Sequence, residues 1–273
     1  MTGARRQIKA MSEDVTAVVF LARGYEEDHL ERFQRFIRSY GTFSAGQSNH
    51  LHVIFKGFRT ALHERSGRAL FKAIPHTAHL VDDAGFDLGA YAAVLSRLDE
   101  PYVCFLNSNA EILSEHWLRK LISYLRDPAV GMVGATGSCE SLNYLDPDFP
   151  RFPNPHLRTN AFALRTDDAQ RFFGGISIRD KIDAWRFESG PDSLTRRVFS
   201  AALTCLIVGR DGRGYGPSTW IGSETFRQGL QSNLLVGDNV TRAYLEMSPS
   251  ERGRIVSKTW GRFVHPKLFC SAL

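Results

Sequence analysis

The strongest constraint on this chain is a grammar repeated through its first half. A short continuous apolar run is followed each time by a stretch with apolar residues at helical spacing. AVVFLA (17–22), LHVIF (51–55), YVCFL (102–106) and VGMVGA (130–135) have strand length, and HTAHLVDD (76–83) reads as a shorter strand among them. After the first run, EEDHLERFQRFIRSY places Leu30, Phe33, Phe36, Ile37 and Tyr40 at helical spacing, with Glu26, Glu27 and Asp28 at the positive end of the helix dipole. ALHERSGRALFKAI (61–74) and GAYAAVLSRL (89–98) read as further helices. Ser114 is placed to cap EHWLRKLISYL, which stops at Asp127-Pro128. Strands alternating with helices at this spacing predict an α/β fold with a mainly parallel central sheet and helices on both faces.

Beyond residue 135 the pattern changes. Residues 136–156 hold Pro147, Pro150, Pro153 and Pro155 among aromatics, and long loops of this kind are often functional. TNAFALR (159–165) alternates like a strand, and Asp167 is placed to cap a helix running to Phe173. Residues 178–200 look helical but are interrupted at Gly190-Pro191. LTCLIVG (203–209) reads as a late strand, and TRAYLEM and SERGRIVSKTWGRF as closing helices. The expected division is a polar lead-in over 1–14 and one domain over 15–273. Within it, 15–135 forms a nucleotide-binding half, and 136–273 an acceptor-side half with C-terminal helices.

With 273 residues the chain can bury a sizeable core without disulfide or metal. Its net charge of +5 suits an anionic small molecule but is too diffuse to argue for nucleic acid. Cys104, Cys139, Cys205 and Cys270 form no C-x-x-C pair and read as free thiols of a reducing compartment. No apolar stretch approaches the about 20 residues of a membrane span, and no signal-type segment follows the basic N-terminus. The expectation is a cytoplasmic protein, with peripheral contact at the cytoplasmic membrane face left open.

In open α/β sheets, ligands sit outside the carboxyl ends of the strands. Three polar clusters fall there: Ala22-Arg23-Gly24-Tyr25-Glu26, DDAGFDLGAY (82–91), and Asn107-Ser108-Asn109-Ala110-Glu111. Each alone reads as a turn, since Asn, Asp, Gly and Ser are turn residues. Together at one sheet edge they make a site. Their order resembles the GT-A glycosyltransferases, particularly the large inverting family 2. DDAGFDLGAY looks like that family's nucleotide-pocket motif, and FLNSNAEIL like F-L-N-S-D. FESGPDSLTRR (187–197) resembles the helix that carries the catalytic base. The resemblance spans about residues 15–215.

It implies a transferase that moves a sugar, with inversion, from a nucleoside diphosphate donor to a hydroxyl acceptor such as a bacterial surface polysaccharide or lipid-linked glycan. Ala22, Arg23, Asp83, Gly85, Asp87, Asn107, Ser108 and Asn109 would line the donor site, although Asp87 also reads as a helix cap. Asn109 departs from the family, whose metal-binding carboxylate would fall there. Mg²⁺ and Mn²⁺ prefer charged oxygen ligands. Three readings stay open. Mn²⁺ or Mg²⁺ is held by Asn109 with help from Glu111 or His156; arginine or lysine (Arg158, Arg227, Lys258) offsets the diphosphate charge instead; or catalysis is lost. Glu188 is the candidate general base, with apolar Trp185 and Phe187 beside it; Asp183 is second and Asp192 third. Trp185 reads as a sugar platform or a core residue. TFRQGLQSNLLVGDN (225–239) reads as a lid that sets Arg227 on phosphate, or as a surface loop. Two rivals remain: a catalytically degenerate nucleotide-sugar-binding domain, and another Rossmann-like transferase acting on nucleotides or methyl donors. Against the second, no G-x-G-x-x-G follows the first strand, and ARGYEE poorly matches a nucleotidyltransferase loop.

Overall fold

The computed structural model describes residues 15–261; the expected lead-in over 1–14, Cys270 and the end of the last helix segment lie outside the described residues. The strands are β1 (Thr16–Arg23), β2 (Asn49–Lys56), β3 (Thr77–Leu80), β4 (Tyr102–Leu106), β5 (Glu111–Ile112), β6 (Val130–Gly134), β7 (Gly137–Ser138), β8 (His156–Leu157), β9 (Ala161–Arg165), β10 (Thr204–Val208), β11 (Gly214–Tyr215) and β12 (Val236–Gly237). The helices are α1 (His29–Thr42), α2 (Ala61–Leu70), α3 (Phe86–Leu95), α4 (Trp117–Leu125), α5 (Thr166–Phe173), α6 (Lys181–Ser189), α7 (Leu194–Ser200), α8 (Asn239–Glu246) and α9 (Pro249–Trp260).

Eight strands form one sheet in the order β11-β10-β6-β9-β4-β1-β2-β3. β1, β2, β3 and β4 run parallel, as do β6 and β10, while β9 runs antiparallel to β4 and β6, and β11 antiparallel to β10. The mainly parallel sheet expected from the apolar runs is therefore present. β1 shows why the runs are continuous. Val18, Phe20 and Ala22 face a core with Phe33 and Phe36 of α1 and Trp117 and Leu121 of α4. Ala17, Val19 and Leu21 face the opposite core with Leu88, Tyr91 and Val94 of α3. With helices on both faces, positions 17–22 of the strand are all apolar.

Some element boundaries differ from expectation. α4 begins at Trp117, not behind Ser114: the residue before it, His116, has φ +57, and Ser114 Oγ instead accepts from Lys120 Nζ at 2.9 Å. Asp167 lies inside the first turn of α5, which begins at Thr166. α3 starts at Phe86, three residues early, so Asp87 sits in its first turn and Gly85 at its cap. Cys104, Cys139 and Cys205 are buried free thiols. Among the described residues no helix is long and apolar enough to cross a membrane.

Candidate functional site

The site begins where β1 and β2 end together, with Arg23 and Lys56 as register partners. Arg23 grips Asp83 bidentately, Nε to Oδ1 at 3.0 Å and Nη2 to Oδ2 at 3.1 Å. Lys56 is buried and donates through Nζ to the carbonyls of Ala84 at 2.7 Å and Phe86 at 2.9 Å, with Asp83 Oδ1 at 3.8 Å. Burial lowers the Lys56 pKa, opposed by the Asp83 charge, while the Asp83 hydrogen bond raises that of Arg23. Two charged strand ends thus stitch down the loop 82–86. Gly57 has φ +66, and a Cβ there would sit 2.6 Å from Asp83 Oδ1. Gly85 has φ +73, and a Cβ there would sit 2.9 Å from Gly89 Cα. The close approach that Gly85 permits in this structure is between two parts of the chain itself. The Ala22 side chain is in the core under α1.

Asp87, half-buried, joins this cluster to the rest of the edge. Burial raises its pKa; Arg23 and Lys56 oppose the rise, and Glu188 and Asp83 add to it. Glu188 lies near the end of α6. Its Oε2 accepts from the Thr159 amide at 3.2 Å and also from the Thr159 hydroxyl, and Oε1 has no partner among the described residues. Gly190 caps the helix just beyond, where any side chain would strike the Arg186 carbonyl, 2.5 Å from the Cβ position. Asn154 Nδ2 donates to Ser189 O at 2.7 Å and anchors the helix end against the loop leading into β8. His156, buried on β8, donates through Nδ1 to Asn154 O at 2.8 Å. Burial pushes its pKa down, with Glu188 opposing, so its ring is neutral at neutral pH.

The third cluster is the turn after β4. The Asn107 amide donates to Asn160 O at 2.9 Å, and the Asn109 amide to Asn107 Oδ1 at 3.1 Å. β12 pairs antiparallel with β5, Gly237 opposite Glu111, and so carries the start of α8 to this turn. There Arg242 Nη1 donates to Glu111 Oε2 at 3.0 Å and to Asn109 O at 3.4 Å. Arg158 Nη2 donates to the buried Asp238 at 2.9 Å, and Arg227 Nη1 to both oxygens of Glu140 at 3.0 and 2.9 Å. The Phe226 ring lies against both guanidiniums, 4.2 Å from Arg158 and 4.9 Å from Arg227.

No protein-family model and no curated protein matches the sequence. Solved structures do match. The mannosyltransferase PcManGT from Pyrobaculum calidifontis, in complex with GDP-Man and Mn²⁺, superposes with a TM-score of 0.50 at 14% identity, covering 80% of this chain and 60% of that one. The 4-diphosphocytidyl-2C-methyl-D-erythritol synthase from Anaerococcus prevotii gives 0.43 at 11%, covering 65% and 83%. A CMP:2-keto-3-deoxy-manno-octonic acid synthetase complexed with CTP gives 0.40 at 12%, covering 70% and 88%. The fold is of the GT-A kind. At such identities the likeness concerns the fold alone.

On this GT-A scaffold the expected residues divide. Arg23, Asp83 and Glu188 all act electrostatically on Asp87. Asp183 does not join Glu188: it sits in the first turn of α6, where the Arg179 amide and guanidinium hold its pKa down. Asp192 pairs with Arg197 at 2.6 Å. Trp185 is half-buried with Lys181 Nζ 4.9 Å from its ring, and Lys258 is exposed near the Tyr144 ring. In the segment 225–239, Thr225, Phe226, Leu234, Leu235, Val236 and Asp238 are buried, while Leu230 is exposed. A metal fits this donor set poorly. Asn109 is neutral and Glu111 is held by Arg242; His156 donates through Nδ1 to Asn154, which leaves Nε2 as a single neutral donor. Among the described residues no group of three or more His, Cys, Asp or Glu is arranged to hold an ion. Lys56, Thr159, Asp238 and Arg242 escaped sequence reasoning. Lys56 alone left a signal, as a charge closing an apolar strand in the same way as Arg23.

Proposed function

We propose that this protein is a nucleotide-sugar-dependent glycosyltransferase that transfers a sugar, with inversion, to a hydroxyl of a glycan or lipid-linked glycan. The observation that carries the reading is Glu188. One carboxylate oxygen is fixed by Thr159, and the other is unspent at the sheet edge where GT-A folds place their ligands. A base so oriented takes the acceptor hydroxyl's proton from Oε1 as that oxygen attacks the anomeric carbon, and the nucleoside diphosphate leaves on the opposite side. The C–O bond to the acceptor forms as the C–O bond to the diphosphate breaks, and the proton ends on Glu188. Arg23, Asp83 and Asp87 face the nucleoside, and the turn Asn107–Ser108–Asn109 faces the diphosphate. Residues 15–135 supply the nucleotide-binding half and 136–273 the acceptor-side half.

The test is a melting-temperature screen against nucleoside diphosphates and their sugars, with and without Mn²⁺, since a ligand that binds only the folded state raises the midpoint. One base should stand out. The matching sugar nucleotide should then be consumed with an acceptor, and the product anomer should be opposite to the donor's by NMR. A screen with no shift for any nucleotide rejects the reading. The neutral Asn109 favours one alternative, a binding domain without catalysis. In that case nucleotide binds, but wild type and Glu188→Gln are equally inert.

A further inference from the structure

We propose that arginine, not a divalent cation, neutralises the donor's diphosphate in this protein, with Arg158, Arg227 and Arg242 as the clamp. The inference rests on the nucleotide-sugar reading and concerns the same site.

Three carboxylates that face these arginines are already committed. Glu111 is taken by Arg242 at 3.0 Å. Asp238, 1% exposed, accepts from the Thr241 amide at 2.8 Å and from Arg158 at 2.9 Å. Glu140 has both oxygens on Arg227. Hard cations need charged oxygens that are free to turn toward them, and here each is committed to a guanidinium or a backbone amide.

Two of the arginines keep donors unspent. Arg242 spends only Nη1 and Arg227 only Nη1, so Nε and Nη2 of both have no partner among the described residues. The unpartnered Arg227 Nε is buried. Asn160, 4% exposed, accepts the Asn107 amide on its carbonyl while its Nδ2 is buried without a partner. These are unspent donors around one turn, which an acceptor-rich diphosphate would fill.

Asp238 pairs with Arg158 directly, and its charge also acts on Arg227 and Arg242. Phe226 holds two of them in place by ring contact. The carboxylates fix the guanidiniums in advance, and a planar fork fixed in this way meets phosphate oxygens two at a time.

The experiment is calorimetric titration of the full chain with the nucleoside diphosphate found in the screen and with its monophosphate, each in EDTA and in Mn²⁺. Arg242→Gln is the main variant. Arg158→Lys is the second, because lysine keeps a charge beside buried Asp238, and unliganded melting temperatures check that both fold. The expected result is diphosphate binding that is unchanged by EDTA and weakened about tenfold or more in each variant, with monophosphate affinity changed much less. Asn109→Asp, which adds a negative charge at the turn, should weaken diphosphate binding in EDTA. Diphosphate binding only in Mn²⁺ overturns the arginine clamp and leaves the transferase reading standing. Metal-free binding indifferent to both arginine variants also overturns it. No binding under any condition removes the transferase reading itself.

Discussion

The Glu188 carboxylate and Thr159 are joined twice through one oxygen: the Thr159 amide donates to Oε2 at 3.2 Å, and the Thr159 hydroxyl donates to the same atom. Thr159 lies in the β8–β9 connection and Glu188 near the end of α6, so the base is oriented from a different element than the one that carries it.

Glu188→Gln should lower the turnover of sugar transfer by roughly 10²–10⁴-fold, the usual contribution of a general base, with little change in melting temperature. Thr159→Val keeps the amide donor and removes the hydroxyl. A hydrogen bond to a charged group is worth about 1.5–3 kcal/mol, so turnover should fall by roughly 10–100-fold. The KM for the donor should stay near the wild-type value. A Thr159→Val enzyme of full activity would show that the second bond orients nothing.

Gly57 ends β2 at φ +66, with the Asp83 carboxylate 2.6 Å from where a Cβ would lie. Gly57→Ala therefore carries a left-handed penalty of about 1–2 kcal/mol and also pushes Asp83 away from Arg23. Denaturant unfolding should show a lower midpoint with an unchanged slope, and nucleotide affinity should fall with it. Gly41→Ala is the control, because nothing lies within 4 Å of a Cβ there.

How far these features could be read in advance depended on their range in the chain. β1, β2, β4, β6 and α1 were legible because burial on both sheet faces or on one helix face writes itself into local periodicity. The polar ends of β1, β3 and β4 were legible as lying along one edge because parallel strands bring their carboxyl ends together. The start of α4 was not, since Ser114 turns its hydroxyl to Lys120, six residues on, and leaves the cap to His116. The Asp238–Arg158 and Arg242–Glu111 pairs span 80 and 131 residues and depend on the two-residue pairing of β12 with β5. No local pattern announces a strand that short.

Lys56 and Arg23 both serve the loop 82–86, but at different depth, so their removal should differ in kind. Lys56→Met removes two hydrogen bonds from a charged donor to the carbonyls of Ala84 and Phe86. A hydrogen bond to a charged group is worth about 1.5–3 kcal/mol, so the midpoint of urea unfolding should drop clearly. Arg23→Leu breaks an ion pair whose side chains are 21% and 35% exposed, and such pairs contribute only about 0–1 kcal/mol. Its stability should be close to wild type, and its nucleotide affinity should fall.

Stability should decline on acidification in two stages. Burial lowers the pKa of His156, against Glu188, and that of His79, with the charges of His52 and Arg97 adding to the effect. Both lie below their ordinary value of 6.5 in the folded state. The unfolded chain therefore binds more protons than the native one as pH falls below that value, and stability is lost progressively toward the folded pKa values. The second stage belongs to Asp238 and Glu100. Burial alone would raise both, but the Arg158 charge and the Thr241 amide hold Asp238 below 3.8, and hydrogen bonds from His52 and His50 help hold Glu100 below 4.5. Their stabilisation is present above those ordinary values and lost as pH falls through the lowered ones. Asp87, raised by burial, acts with the opposite sign: its contribution grows as pH falls toward the ordinary value of 3.8, and it offsets part of the loss above that value. Melting temperatures measured from pH 8 to pH 3 should show a first decline beginning near pH 6.5. His79→Gln, which cannot take up a proton, should flatten it. A wild-type profile level from pH 7 to pH 5 would mean that neither histidine is held neutral by the fold.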